Sequence, residues 1–320
     1  MTAYSASGRG GFSHGATIYD TDAAFVATVA PFLAEGMANG DATLAALSPE
    51  REALVRSAFP GHPGVTFVSG RIYHGHPAST IRAYQDLFAG QLAAGASRIR
   101  IVGEAPHSRS DLAWGEWASY EAAINRAYET FPLWGLCAYD RRTTPGGMLD
   151  AAERTHPHLV TTGAGPLPND RYEDPERFLA GLPASAPTDL EARAADLQLV
   201  DPLPATARHA IADLSREAGL GDDELDDLRI AVNEVVANAM VHGRPPTTVR
   251  AWATDRQVVV TVHDRGPGPS DPLAGLVPAS GEAGEGGYGL WITRQLCPRV
   301  DLETAPDGFT VRLVVGAAAA

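Results

Sequence analysis

One helix-forming stretch constrains this chain more than any other. In Asp227-Leu-Arg-Ile-Ala-Val-Asn-Glu-Val-Val-Ala-Asn-Ala-Met-Val-His-Gly243, the residues Glu234, Asn238 and His242 recur every fourth position and share one helix face. Leu228, Val232, Val235 and Ala239 lie opposite, where they can pack on a sheet. Polar groups on such a helix need partners if they are buried. An Asn amide oxygen can ligand Mg²⁺, and a carboxylate one turn earlier can take a proton from an attacking hydroxyl or water. A solvated polar face with an Asn near the C-cap is the plainer alternative for this helix alone.

Two motifs downstream narrow the choice. A strand at Val258–Asp264 ends in Asp264-Arg-Gly266-Pro-Gly268, which sets a carboxylate beside backbone that a ligand can approach closely. An acid there can accept from the exocyclic amine of adenine. Next comes Gly284-Glu-Gly286-Gly287-Tyr288-Gly289-Leu290, glycines opening a helix whose N-terminal N–H groups can cradle phosphate. Alone, each motif is common in ordinary turns. Together and in this order, about 26 residues from Asn238 to Asp264 and about 23 on to Gly287, they are specific.

Composition removes competing chemistries. All 25 basic residues are arginine, so a P-loop, whose lysine holds the β- and γ-phosphates, is excluded. Schiff-base and Ser–Lys mechanisms go with it. A net charge of −14 argues against direct nucleic-acid binding. The two cysteines, Cys137 and Cys297, offer no disulfide framework. No stretch reaches the roughly 18 apolar residues of a membrane span, and residues 1–11 hold no apolar signal segment. A cytoplasmic setting is the expectation.

The three motifs resemble the N-box, G1-box and G2-box of the GHKL ATPases over about 110 residues. They are most similar to the anti-sigma-factor serine kinase branch, with Glu234-Val-Val-Ala-Asn238-Ala-Met-Val-His242-Gly243, Asp264–Gly268 and Gly287-Tyr288-Gly289-Leu290. The resemblance implies a C-terminal GHKL (Bergerat) α/β sandwich that binds ATP and Mg²⁺. On it, Glu234 is the general base, Asn238 the Mg²⁺ ligand and Asp264 the adenine reader, flanked by Gly266 and Gly268. Gly286, Gly287, Tyr288, Gly289 and Leu290 wrap the phosphates beneath a lid of Pro269–Glu285. Thr310 matches a late-strand Thr that supports the adenine-binding acid. His242 suits closing the helix. The family often has a basic residue or His where Tyr288 stands, which bears on turnover.

Residues 12–160 alternate short β-branched strands (Thr17–Tyr19, Ala42–Leu47, Thr66–Val68, Ile99–Val102, Leu133–Tyr139) with amphipathic segments (Ala23–Asn39, Pro49–Ala58, Ala78–Ala94, Trp114–Thr130). That alternation predicts a parallel, doubly wound sheet. Acids and a tyrosine follow or end its strands (Glu104, Tyr139, Asp140), where such sheets commonly bind ligands, although caps and edge residues look the same. His14 and His156 could pair on a metal, but no spacing signature marks them. With His14, Ile18-Tyr19, the helix Ala23–Gly40, Asp41–Glu50, Ile101-Val-Gly-Glu104, Cys137-Ala-Tyr-Asp140 and Arg154-Thr-His-Pro157, this region resembles the methanogen/methylotroph sensory (MEDS) domain, a RecA-like fold here lacking a P-loop. The resemblance implies sensing of an unidentified signal.

Residues 161–195 read as a Pro/Gly-rich linker with one helical turn at Pro175–Ala180, and 196–316 as the ATPase domain. Three functions follow from these readings. The first is a sensor-linked switch that binds a sigma factor or phosphorylates a Ser/Thr of an anti-anti-sigma factor. The second, a sensor histidine kinase, needs a helical hairpin that a Pro-rich stretch at 161–204 cannot supply. The third is a non-catalytic ATP-dependent binding module. Related switch kinases commonly dimerise, though no coiled-coil heptads occur here.

Overall fold

The computed structural model describes residues 11–60, 64–68, 76–104, 111–163, 165–183, 185–278 and 287–316. It comprises two units that part between Gly181 and Leu182.

The first unit alternates strand and helix as its periodicity predicts: β1 (Ser13–Tyr19), α1 (Asp22–Asn39), β2 (Ala42–Ala46), α2 (Pro49–Ala58), β3 (Val65–Phe67), α3 (Pro77–Ala93), β4 (Ile99–Glu104), α4 (Asp111–Ala127) and β5 (Leu133–Asp140). Then follow α5 (Gly146–Thr155), β6 (His158–Thr161), β7 (Gly165–Pro168) and α6 (Pro175–Ala180). The sheet order is β3-β2-β4-β5-β1-β6-β7, parallel except for β7. Helix crossovers are what parallel neighbours require. Local signals set the ends. Thr21 accepts the Ala24 N–H at 3.1 Å to start α1, and Gly40, at φ +75°, stops it. Helix α1 buries Phe25, Val29, Phe32 and Leu33 in one cluster with Leu136 and Ala138 of β5.

The Pro/Gly-rich stretch is less of a linker than its composition implies. Gly165–Pro168 forms β7, and its two prolines are tolerated because the strand sits at the sheet edge. The helical turn at Pro175–Ala180 is present as α6, capped by Asp174.

Arg100 of β4 is an unusual core residue. Only 2% exposed, it donates to Asp41 Oδ2 at 3.2 Å, the Phe32 carbonyl at 3.0 Å and Glu35 Oε2 at 3.3 Å. Removing it leaves the Asp41 carboxylate buried without its cation. Arg100→Ala is therefore expected to destabilise this unit by about 3–5 kcal/mol, read as a lower denaturation midpoint.

The second unit contains a 3₁₀ turn (Asp189–Ala192), β8 (Leu197–Val200), α7 (Pro204–Glu217), α8 (Asp222–His242), β9 (Thr248–Thr254), β10 (Gln257–Asp264), α9 (Tyr288–Leu296), β11 (Arg299–Ala305) and β12 (Gly308–Gly316). Its sheet, ordered β11-β12-β10-β9-β8, is antiparallel throughout. Gly219, at φ +80°, ends α7 as its position predicts. The start of α8 differs from expectation by one residue. Gly221, not Asp222 or Asp223, is the N-cap, and its N–H is taken by Glu224 Oε2 at 2.9 Å. The acids then occupy the first turn, where they face the positive end of the helix dipole.

Period-two alternation divides the sheet into two faces. Val258, Val260 and Val262 of β10, with Phe309, Val311 and Leu313 of β12, form one core with Leu228, Val232, Val235 and Ala239 of α8. Val259 and Val314 point the other way, onto Trp252, Leu190 and Ala195. On that second face Arg312, 3% exposed, is held by Glu191 at 2.8 Å and Glu303 at 3.3 Å. Among the described residues of the chain, no helix is long and apolar enough to cross a membrane.

Candidate nucleotide site

Burial of Val235 and Ala239 against β10 and β12 fixes the rotation of α8, which leaves Glu234 and Asn238 half-buried toward α9. The loop reaching α9 ends in Gly287, whose φ of +97° is a left-handed conformation suited to glycine. Thr293 Oγ1 donates to the Gly289 carbonyl at 2.8 Å and ties the first turn of α9. Close approach explains Gly289. A Cβ there would lie 2.8 Å from Asn238 Nδ2 and 3.2 Å from Glu234 Oε2. The first and third sequence motifs therefore meet side chain to backbone.

The second motif forms the floor of the same pocket. Asp264, 4% exposed at the end of β10, accepts the Arg244 N–H at 3.1 Å and the Gly266 N–H at 2.5 Å, both on Oδ1. Its Oδ2 accepts no hydrogen bond among the described residues. A Cβ on Gly243 or Gly266 would overlap this carboxylate, so both glycines are required by its packing. Gly268, at φ +73°, would in turn press a Cβ into the Phe309 ring.

A cavity of about 540 Å³ opens here, lined among others by Asn238, His242, Asp264, Gly287, Leu290 and Phe309. Val235, Val262 and Val311 supply apolar wall. One free carboxylate oxygen at the base of a mostly apolar slot fits a flat heterocycle with an amino group. A helix N-terminus and an Asn amide at the other end fit the phosphates and Mg²⁺ of a nucleotide. On these observations the residues present suit ATP.

The expected residues do not all gather. Glu234 stands beside Gly289 but does not line the cavity. Gly266 acts on Asp264 rather than on the cavity wall. Tyr288 is 40% exposed, its ring edge-on to Trp291 at 6.3 Å, and also lies off the lining. Gly286 and the lid residues 279–285 lie outside the described residues.

Thr310 is a correction. It pairs with His263 in the sheet, and its Oγ1 lies 3.0 Å from His263 Nδ1, on the face away from the helices. The residue opposite Asp264 is Phe309, which presents a ring and not a hydroxyl. Composition and spacing also pass over two residues behind Glu234. Asn233 Nδ2 reaches Glu234 Oε1 at 3.4 Å, and Arg208 of α7 donates to Asn233 Oδ1 at 2.7 Å. No local pattern marks Arg208, because the contact joins two helices.

In the first unit, the acids near strand ends are already engaged by arginine. Arg51 donates to Asp22 Oδ1 and Asp140 Oδ2, each at 2.7 Å, and stands 3.6 Å from Glu104. Hydrogen bonds from Arg142, opposed by burial and aided by the Arg51 charge, hold the Asp140 carboxyl below its ordinary range.

Comparison with known proteins bears on both units. Residues 13–157 match the model of the MEDS family (methanogen/methylotroph, DcmR sensory domain), and residues 200–315 match that of the histidine kinase-like ATPase domain. No curated protein matches the chain. Similar solved structures include the RsbU and RsbW domains of a Mycobacterium tuberculosis protein, at 23% identity and a TM-score of 0.27, over 39% of this chain and 33% of that one. A mycobacterial sensor histidine kinase, MprB, matches at 18% identity and a TM-score of 0.27, over 38% of this chain and 97% of its own. The chain thus spans about a third of the first of these, and likenesses this slight carry no argument about function. The family matches are regional: residues 13–157 are similar to a MEDS domain and residues 200–315 to a histidine kinase-like ATPase domain.

Proposed function

We propose that the second unit binds Mg²⁺–ATP and serves as the output of a sensor-linked switch, phosphorylating a Ser or Thr of an anti-anti-sigma factor or gripping a sigma factor. The observation that carries this reading is the Asp264 carboxylate, pinned through Oδ1 with Oδ2 left for a ligand, at the base of the cavity that Asn238 and Gly287 also line. Bound ATP would supply a transferable phosphoryl group, and Mg²⁺ would neutralise its charge. Within the chain, Asp264 orients adenine, Asn238 offers an amide oxygen to the metal, and the start of α9 offers N–H groups to phosphate. Glu234, oriented through Asn233 and Arg208, is the group to take the proton of an attacking hydroxyl.

Gly289 offers a compact check of this arrangement. Gly289→Ala puts a methyl group against Asn238 and Glu234 and is expected to weaken Mg²⁺–ATP binding about tenfold, seen by titration calorimetry. The circular dichroism spectrum should be unchanged.

Labelled ATP incubated with the full chain and candidate sigma regulators tests the function itself. Label on a partner Ser/Thr, lost with Glu234→Gln, supports the reading. Acid-labile label on the chain itself would replace it with a histidine kinase. Binding without transfer under any pairing would leave an ATP-dependent binding module.

A further inference from the structure

Four side chains of the first unit, three from named elements and one just after a helix, converge inside it. His14 comes from β1, Glu121 from α4, Cys137 from β5, and His156 follows α5. Their ligand atoms all lie within 4.8 Å of one another. His14, Glu121 and His156 are 2%, 0% and 0% exposed.

Hydrogen bonds fix which atoms face inward. Asn125 Nδ2 donates to the carbonyls of Glu121, Ala122 and Thr155, at 3.0, 3.3 and 2.9 Å. Its Oδ1 must then be the acceptor for His14 Nδ1, at 3.1 Å. His156 Nδ1 donates to the Ala152 carbonyl at 2.7 Å. In both imidazoles the proton therefore sits on Nδ1 and the Nε2 lone pair points into the cluster. Tyr139 donates to Glu121 Oε1 at 2.7 Å, which leaves Oε2 facing inward as well.

The proton count does not balance. His14 Nε2, His156 Nε2 and Glu121 Oε2 are three acceptors, and the Cys137 thiol is the one donor among the four side chains. His156 Nε2 is buried with no hydrogen-bond partner among the described residues. A buried acceptor left this way is costly.

We propose that His14, Glu121, Cys137 and His156 form a buried four-ligand site for a borderline-soft divalent metal of the zinc class. The spacing agrees. His14 Nε2 stands 3.4 Å from Cys137 Sγ and 3.5 Å from Glu121 Oε2, His156 Nε2 is 3.4 Å from Glu121 Oε2, and Cys137 Sγ is 3.6 Å from the same oxygen. A tetrahedral Zn²⁺ with bonds of roughly 2.0–2.3 Å has edges of about 3.3–3.6 Å. Two neutral imidazoles, one carboxylate and one thiolate also sum to the charge that cancels a dication. Binding expels the thiol proton to solvent, so uptake weakens as pH falls. Asn125 and the Ala152 carbonyl are the outer partners that orient the rings.

The test uses the full, untagged chain. After exhaustive dialysis against a weak chelator, elemental analysis is expected to find one Zn²⁺ per chain. Loaded with Co²⁺ instead, the protein should show the intense visible bands of tetrahedral cobalt and a near-ultraviolet thiolate-to-cobalt band. Cys137→Ser should remove the thiolate band and Cys297→Ser should leave it. Asn125→Ala, a positioning change, should weaken metal affinity by about 10- to 100-fold. Folded wild-type chain that retains no metal and gains no thermal stability from Zn²⁺ or Co²⁺ would overturn the proposal. So would uptake equal in wild type and a folded Glu121→Gln, Cys137→Ser double variant.

Discussion

Asp264→Asn is expected to weaken ATP binding at least about 100-fold while the second unit stays folded. The reason lies in how the side chain is pinned. Oδ1 accepts two backbone N–H groups, from Arg244 and Gly266. In the amide, only the oxygen can take that place, because an NH₂ there would oppose both donors. The NH₂ must then occupy the position of Oδ2 and face the cavity. It would meet the amino group of adenine donor to donor. A charge-assisted hydrogen bond becomes a clash of like groups in a largely desolvated slot, and loss of that bond alone is worth about 1.5–3 kcal/mol. Retention of the two backbone hydrogen bonds keeps the local fold, so the circular dichroism spectrum and unfolding midpoint serve as controls. Fluorescent ATP-analogue titration gives the affinity.

Glu234→Gln should give the opposite pattern: affinity close to wild type, with phosphoryl transfer lowered about 10²- to 10⁴-fold. Glu234 does not line the cavity, so nucleotide affinity has little reason to depend on its charge. Its role in the proposal is to take a proton, which a neutral amide cannot do. Gln preserves the length of the side chain and can still accept from Asn233 Nδ2, which now stands 3.4 Å from Glu234 Oε1. The contrast separates the two sites of action. Asp264→Asn acts on binding and Glu234→Gln on turnover. A drop in affinity for Glu234→Gln, with turnover per bound nucleotide unchanged, would show that the carboxylate only shapes the pocket.

The sequence made some of this legible for physical reasons. A four-residue recurrence on α8 puts Glu234 and Asn238 on one face whatever the helix packs against. A strand end followed by Gly-x-Gly needs no tertiary information to place Asp264 near open backbone. Thr310 failed because its placement depends on register. In an antiparallel pair a shift of one residue exchanges the faces, and the pairing of Asp264 with Phe309 is set by the fold. Arg208 and Asn233 were illegible for the same reason, since their contact spans α7 and α8. The first unit is the stronger case. The sequence offers His14 and His156 as a metal pair without a spacing signature, but Glu121 on α4 and Cys137 on β5 join them only once the sheet and its helices have assembled. Ligands from β1, α4, β5 and the end of α5 leave no spacing to find. The edge strand β7 was masked by its own prolines, which argue against a strand unless it lies at an edge.

In the proposed function, the cavity of the second unit is an adenine-nucleotide site. Titration calorimetry of the full chain with ATP in the presence of Mg²⁺ measures this directly. One site per chain is expected, competed by ADP and not by GTP, with affinity lost in Asp264→Asn. No heat of binding at millimolar ATP, or binding that Asp264→Asn leaves untouched, would contradict it.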